Sequence, residues 1–410
     1  MRARLAATTT RAVNAASRRL RRGSGTVAGG RAGLRVDPKL LEHLSAGRQV
    51  VLVSGTNGKT TTTRLVTVGL GAGGEAVVSN ETGSNMPPGH VAALAGTDAP
   101  RAVLETDEVY LPRVLTATGA AAVLLLNLSR DQLDRTNEVR MIAGTWRAAL
   151  AAAPRTHVVA NADDPLVVWG AGAARDVHWV GAGLRWQHDA VGCPSCEGRI
   201  AFTESGWSCA ACGFARPEPE ATLVVGAGGA ARAEWADGRR ASVQLSLPGR
   251  FNQSNALMAA VAAEASGVDA LSALAAMAEV KEVAGRFTVR SFGDVRARLM
   301  LAKNPAGWDE LLDLVAESDA PLVVSINARI ADGADPSWLW DVPYERLAGR
   351  AVVATGDRYR DLSVRLHYGG VAHTTEPIPV VAVTGAAAGS TDVVDVIGNY
   401  TAFYDLLGAP

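Results

Sequence analysis

The chain has 410 residues, 48% of them hydrophobic, and a formal net charge of −1. That length allows roughly two or three domains with sizeable cores, and the near-zero charge removes any global drive toward nucleic acid or an anionic membrane. No apolar run reaches the ~18 residues of a membrane-spanning helix, so the expectation is a soluble, cytoplasmic protein.

Residues 1–36 carry nine arginines (Arg2, Arg4, Arg11, Arg18, Arg19, Arg21, Arg22, Arg31 and Arg35) and no acid. The interrupted Ala/Thr/Asn/Ser stretch between them is a poor secretory signal. The segment reads as a solvated or partly disordered basic arm. A second reading is peripheral contact with anionic lipid headgroups at the inner face of the membrane.

The apolar run Val50–Val53 predicts a buried strand, followed by Ser54-Gly55-Thr56-Asn57-Gly58-Lys59-Thr60-Thr61. Two glycines between a strand and a helix let backbone N–H groups approach phosphate oxygens, and the helix N-terminus adds partial positive charge. Lys59 can then reach the β- and γ-phosphates, and the Thr60 hydroxyl can hold Mg²⁺. The match to the general nucleotide-binding loop is partial, because that pattern has a glycine where this chain has Val53.

Further strands are expected at 75–79, 101–108, 119–127 and 156–161, with helical patterns between them that include 138–153. Strand–helix alternation with near-continuous apolar strands implies a parallel sheet whose ligands sit at the carboxyl ends. Glu105 closes one such strand and is the expected second Mg²⁺ ligand; Asp107 and Glu108 are alternates, and a solvated acidic turn is the plain alternative. Arg130 and Arg135 follow another strand end, where they suit phosphate or carboxylate, or a helix-capping charge cluster. Asn161-Ala162-Asp163-Asp164-Pro165 is equally well an Asx turn before a helix.

All four cysteines fall in one segment: Cys193-x-x-Cys196, twelve residues, then Cys209-x-x-Cys212. Paired Cys-x-x-Cys knuckles around a short hairpin can present four thiolates tetrahedrally to Zn²⁺. Disulfides or a redox pair are the alternatives. Four thiolates leave no open coordination position, so the role expected is structural. They also leave no thiol for nucleophilic catalysis, so the chain cannot itself be a cysteine-dependent glutaminase. The module spans about 185–220. It carries few cations against several acids, which argues against nucleic-acid binding.

Strand character resumes at 243–247, and Gly249-Arg250-Phe251-Asn252-x-x-Asn255 opens an Ala-rich helix at about 254–266. Asn252 and Asn255 can face an adenine edge or cap that helix. Arg286, in Gly285-Arg286-Phe287, and Lys303 are isolated cations in turns. A second α/β unit begins near 290, with strands at about 297–302, 321–326, 351–355 and 379–383. Its loop 331–341 crowds Asp332, Asp335 and Asp341 around Trp338 and Trp340. Either the tryptophans anchor an interface, or they pack in the core beside solvated acids.

The motifs Gly-Thr-Asn-Gly-Lys-Thr, an acidic strand end, Asn-Ala-Asp-Asp-Pro, Gly-x-Phe-Asn-x-x-Asn, Gly-Arg-Phe and Asn-Pro occur in that order over residues 40–410. In this the chain resembles the Mur ligase and folylpolyglutamate synthetase superfamily. By that resemblance, the roughly 50 residues before the nucleotide-binding loop are expected to be too few for the domain with which nucleotide-sugar Mur ligases hold UDP. With the inserted ribbon, Arg130-Asp-Gln-Leu-Asp-Arg135 and Leu301-Ala-Lys-Asn-Pro-Ala-Gly307, the chain looks like the MurT subunits of lipid II isoglutaminyl synthase. The resemblance implies an α/β fold: a basic arm (1–36), a Mur-ligase-type ATP-binding domain with parallel sheet and inserted four-cysteine ribbon (37–290), and a Rossmann-like C-terminal domain (291–410).

The resemblance further implies ATP-dependent amidation of the α-carboxyl of D-isoglutamate in the lipid II stem peptide. A glutaminase partner, GatD, would supply ammonia in a heterodimer. It places Gly55, Thr56, Asn57, Gly58, Lys59, Thr60 and Thr61 on phosphate, Asn252, Asn255 and Arg286 on the nucleotide, and Thr60 and Glu105 on Mg²⁺. Asp335 would complete a Cys-His-Asp triad across the interface, with Asp332 and Asp341 as rivals. The competing readings are a ligase of the same superfamily that adds an amino acid, and a non-enzymatic zinc-ribbon adaptor switched by nucleotide.

Overall fold

A computed structural model describes residues 1–19, 26–80, 84–130, 139–226, 229–281, 286–387 and 393–409. Two compact units result: Met1–Ser129 with Glu138–Lys281, and Arg130–Asn137 with Glu282–Pro410.

The arginine-rich start is helical rather than a solvated arm: α1 (Arg2–Arg19), α2 (Thr26–Val36) and α3 (Leu40–Ser45). The reason is the small and polar residues spaced one turn apart, Ala6, Thr10 and Asn14, which are the buried residues of α1 and form one stripe of its surface. Arg2, Arg4, Arg11, Arg18, Arg19, Arg31 and Arg35 stay on the exposed faces. Arg2 Nε also ties α1 to the end of α2, donating to the Val36 carbonyl at 2.7 Å.

In chain order the first unit continues β1 (Gln49–Ser54), α4 (Lys59–Gly71), β2 (Val77–Ser79), α5 (Pro87–Leu94), β3 (Arg101–Glu105), α6 (Leu111–Thr118), β4 (Ala122–Leu125), α7 (Val139–Ala151), β5 (His157–Asn161), α8 (Pro165–Ala171) and β6 (Val177–Gly181). The hairpin β7 (Ile200–Thr203) and β8 (Gly206–Cys209) is inserted here. Then come β9 (Ala221–Val225), β10 (Ala231–Trp235), β11 (Arg240–Ser242), α9 (Arg250–Ala265) and α10 (Ala270–Met277).

Among the described residues, nine strands form one sheet in the order β2-β3-β1-β4-β5-β6-β9-β10-β11. It is parallel up to β9 and antiparallel at β10 and β11. Val50–Val53 and Val123–Leu125 are buried, as expected for central parallel strands covered on both faces. The strand expected at 243–247 is absent. The pairing ends at Ser242, after which only the Val243 N–H still reaches the Ala231 carbonyl, at 2.9 Å, and Pro248 then closes the segment.

In the second unit, β12 (Phe287–Phe292) and β13 (Val295–Leu301) make a hairpin. They precede α11 (Pro305–Ala316), β14 (Leu322–Ser325), β15 (Val352–Thr355), α12 (Tyr359–Tyr368), β16 (His373–Thr375), α13 (Pro379–Ala386), β17 (Val393–Gly398) and α14 (Tyr400–Gly408). The sheet order is β12-β13-β17-β14-β15-β16, around a core of Leu299, Val323, Val394, Val396 and Phe403. The strand expected at 379–383 is instead helix α13. A short apolar run does not distinguish strand from helix by periodicity, but Pro379 in the first turn suits a helix start.

Candidate active site

The polar residues at the carboxyl ends of β1 to β5 converge on the turn between β1 and α4. Gly55 sits at φ +142°, and a Cβ there would stand 2.9 Å from Leu126 Cβ and 3.0 Å from the Asn127 backbone N. Only glycine lets this turn press against the segment after β4. Gly58, at φ +86°, faces the Asn255 amide, whose Oδ1 would lie 3.0 Å from an added Cβ. That contact brings the start of α9 to the turn. Asn252, three residues earlier on the same helix, is also buried. Its Nδ2 donates to the Pro248 carbonyl at 2.6 Å, while its Oδ1 is buried without a partner. Neither asparagine caps α9: the N-cap is Gly249, which makes no side-chain capping bond.

Lys59 opens α4 and is 9% exposed. Its Nζ donates to the Gly55 and Thr56 carbonyls at 2.5 and 3.1 Å and to Glu108 Oε2 at 3.0 Å. Glu108, named from sequence only as an alternate, is thus the acid held against the lysine. Glu105 lies beside Val53 in the β1–β3 register and is 2% exposed, with Oε2 buried and unpartnered. A carboxylate oxygen desolvated without a hydrogen bond is costly. A divalent cation shared with the Thr60 hydroxyl would relieve that cost, so the residues fit Mg²⁺.

The braces of this site were not read from the sequence. Asn127 grips the turn twice, accepting from Asn57 N at 2.9 Å and donating to Asn57 O at 3.0 Å. Thr56 Oγ1 donates to Ser129 O and accepts from Ser129 N, both at 3.0 Å. Asp164 Oδ2 accepts from Leu128 N at 2.8 Å, and its Oδ1 accepts from Leu166 N and Val167 N at 2.9 and 3.2 Å, capping α8. Burial raises its pKa to about 6 despite those three donors.

Asn161 forms the Asx turn that sequence left open, its Oδ1 accepting from Asp163 N at 3.0 Å. Asp163 binds Arg216 Nε at 2.6 Å. The Glu105 backbone is held by Asn80, whose Oδ1 accepts from Glu105 N at 2.8 Å. The Glu105 carbonyl takes Asn80 Nδ2 at 2.9 Å and His90 Nε2 at 2.7 Å. A carbonyl only accepts, so His90 carries its proton on Nε2; burial lowers its pKa to about 4. The only sequence signal for these braces was a run of Asn, Ser and Asp just past strand ends.

The four cysteines converge. Their sulfurs all lie within 4.8 Å of one another, with Cys193–Cys212 at 3.7 Å and Cys196–Cys209 at 3.6 Å. Sulfur contacts this long are not disulfides. A tetrahedron with Zn–S bonds of about 2.3 Å has edges of about 3.8 Å, so the set fits zinc. Trp207 anchors the hairpin, donating to the Ala162 carbonyl at 3.1 Å.

Arg286 and Asp335 lie in the second unit. Asp335 is exposed, and its Oδ1 accepts from Ser337 N at 2.8 Å. Asp332 is buried and committed: its Oδ1 accepts from Thr401 N at 2.8 Å, and its Oδ2 from Arg329 N at 3.2 Å and from the Thr401 hydroxyl at 2.5 Å. Trp338 is buried against Trp308, with ring centroids 6.2 Å apart, whereas Trp340 is 55% exposed and edge-on to Tyr368. Trp338 thus packs in the core as the second reading expected, but Asp332 beside it is not solvated, and Trp340 stays on the surface. Arg135 and the acids beside it at 131 and 134 lie outside the described residues.

Residues 53–190 match the Mur ligase middle domain and residues 301–403 the MurT ligase C-terminal model. Subunit MurT of the glutamine-hydrolysing lipid II isoglutaminyl synthase of Streptococcus pneumoniae is 27% identical, over 85% of this chain and 83% of its own. That of Staphylococcus aureus is also 27% identical, over 93% and 92%. Among solved structures, a pseudomurein peptide ligase type C from Methanothermus fervidus superposes with a TM-score of 0.69 at 20% identity, covering 90% of this chain and 79% of its own. Mycobacterium tuberculosis folylpolyglutamate synthase superposes with a TM-score of 0.61 at 17% identity, covering 90% and 93%. The nucleotide-loop geometry, the Mur ligase fold and two domain models in family order place one conclusion on the chain: it belongs to the MurT family of the Mur ligase superfamily.

Proposed function

We propose that the chain is the ATP-using subunit of a lipid II isoglutaminyl synthase, a C–N ligase of peptidoglycan synthesis. It would convert the α-carboxyl of D-isoglutamate to the amide through an acyl phosphate. The observation that carries this reading is the pairing of a nucleotide-binding turn with a buried, unpartnered Glu105 carboxylate oxygen across the β1–β3 pair.

Lys59 would turn from Glu108 and the turn carbonyls to the γ-phosphoryl, neutralising charge as the substrate carboxylate attacks. Thr60 and Glu105 would hold Mg²⁺, which supplies charge neutralisation on the phosphates. The N–H groups of Gly58, Lys59 and Thr60 lie at the start of α4, where the helix favours negative charge. Asn255 and Asn252 would border the nucleotide. Water would have to be kept from the strand ends during the reaction, because an acyl phosphate otherwise hydrolyses.

Ammonia would come from a separate glutaminase, GatD, in a heterodimer. All four cysteines of the chain gather in the thiolate cluster, which leaves no thiol for hydrolysing glutamine. Asp335, exposed in the second unit, would orient the partner's catalytic histidine. No helix among the described residues is long and apolar enough to cross a membrane. The exposed arginines of α1 and α2 would give peripheral contact with the anionic surface that carries lipid II.

The test is reconstitution. The chain with ATP, Mg²⁺ and lipid II should yield amidated lipid II and stoichiometric ADP when given ammonium, and should use glutamine only when GatD is present. Incorporation of an amino acid instead of ammonia, or ADP release without amide, would overturn the reading.

A further inference from the structure

At the opposite, amino-terminal edge of the large sheet, His157 opens β5, Asp176 precedes β6, His178 lies within β6 and Glu220 precedes β9. The parallel register sets His178 beside Val159, so both histidines project from neighbouring strands. One ligand atom from each of His157, Asp176 and His178 lies within 4.8 Å of the others. His157 Nδ1 is 2.6 Å from Asp176 Oδ2, and His178 Nε2 is 3.8 Å from Asp176 Oδ1. His178 Nδ1 stands 3.0 Å from both oxygens of Glu220.

That last contact sets the chemistry. A nitrogen between two carboxylate oxygens is a donor, so the neutral ring carries its proton on Nδ1 and a lone pair on Nε2. His178 Nε2 is buried and has no hydrogen-bond partner. It faces a carboxylate, which also presents only lone pairs. Two acceptors facing each other repel unless a proton or a metal cation lies between them. A carboxylate behind a histidine whose other nitrogen points at a shared centre is the outer-shell arrangement of metal-ligating imidazoles.

We propose that His157, Asp176 and His178 form a second divalent-metal site, with Glu220 orienting His178. Two imidazoles and one carboxylate suit Zn²⁺ and its late first-row neighbours. Bonds of about 2.0–2.2 Å place tetrahedral ligand atoms about 3.3–3.5 Å apart, between the two separations observed to Asp176. His157 and Asp176 are about half exposed on the surface, so small side-chain rotations complete the geometry without moving the strands. Three protein ligands leave a position for water. The site would clamp the starts of β5, β6 and β9. The five-residue strand β5 separates it from Asn161 by roughly 13 Å at about 3.3 Å per residue, so it is distinct from the nucleotide end of the sheet.

The experiment dialyses the full chain, its cysteine cluster already zinc-loaded, against micromolar free Zn²⁺ and counts bound metal. Wild type should bind two equivalents, and His157→Ala and His178→Ala one each. Glu220→Gln should bind the second equivalent about 10- to 100-fold more weakly. Cys209→Ser should lose its cluster metal and keep the other. Co²⁺ added to the zinc-loaded wild type should give ligand-field bands without sulfur charge transfer, and His178→Ala should not. A single equivalent in wild type, or bands that persist in a folded His178→Ala protein, would overturn the site and leave an ordinary surface ion pair.

Discussion

Asp164 links the motif Asn-Ala-Asp-Asp-Pro to the nucleotide turn, and its burial makes the link pH-dependent. Its folded pKa is raised from 3.8 to about 6, chiefly by burial. A raised carboxyl pKa means the folded state holds the proton more tightly than the unfolded one. The associated stability is present below the unfolded value and is lost as pH rises through the folded value. The gap of about two units corresponds to about 3 kcal/mol at 1.36 kcal/mol per unit, lost between about pH 4 and pH 6. Asp164→Asn removes the titration while keeping one oxygen for Leu166 N and Val167 N. Either variant leaves the Leu128 N–H without its acceptor, and Asp164→Ala strands the cap as well, at a cost of about 2–4 kcal/mol. The assay is amide hydrogen exchange of segment 122–130, wild type against Asp164→Asn at matched pH so that intrinsic exchange cancels. Wild type should lose protection relative to the variant by about 10²-fold between pH 4 and pH 7. A ratio independent of pH would show that Asp164 is ionised throughout and would refute the argument from burial.

His90 should act in the opposite sense. Its folded pKa is lowered from 6.5 to about 4 by burial, so stability present above pH 6.5 is lost on acidification, by about 3 kcal/mol; in His90→Gln the acid limb of a pH–stability curve should flatten. Lys59→Ala should keep the fold and lose at least about 10²-fold in ATP-dependent amidation, and a folded variant with wild-type turnover would remove the phosphate role. Cys196→Ser or Cys209→Ser should lose one zinc per chain by elemental analysis and unfold the β7–β8 hairpin first, since metal binding there is folding energy. Asp335→Asn should impair glutamine-dependent amidation in the complex with GatD and spare amidation fed with ammonium; equal loss with both nitrogen sources would place Asp335 in the ligase site or the fold.

The nucleotide turn, the parallel sheet and the thiolate cluster were legible because each is specified by local pattern. Apolar runs read as central strands, Gly-x-x-Gly-Lys-Thr can be read without neighbours, and two Cys-x-x-Cys knuckles carry their own geometry. What was not legible depends on contacts distant in sequence. The clamp of Asn127 on Asn57 cannot be inferred from a strand end, because its two bonds span 70 positions. His90 carries no motif that singles it out in the sequence. It became a brace because α5 lays it against the Glu105 carbonyl. The basic start misled for a related reason: arginine content suggested solvation, whereas the burial of α1 rests on Ala6, Thr10 and Asn14. Helix α13 was read as a strand because its short apolar run fits both periods, and Pro379 was the deciding residue.

These contacts also explain why motifs scattered along the first unit occur together. The turn at Gly55 and Gly58 has positive φ at both glycines, a conformation glycine reaches without steric cost but does not by itself hold, so its surroundings must fix the shape. Asn127 and Ser129 clamp it from one side and Asn255 fills the space at Gly58. Asp164 in turn fixes Leu128, between the two clamping residues. Loss of any one brace leaves the residues proposed to face phosphate intact in sequence but free to relax. The expected phenotype of a brace variant is therefore weakened nucleotide binding with Lys59, Thr60 and Glu105 unchanged. That consequence separates a positioning role from a chemical one, because a residue that contacts the γ-phosphoryl should affect turnover at saturating ATP, whereas a brace should act first on the ATP concentration needed to reach it.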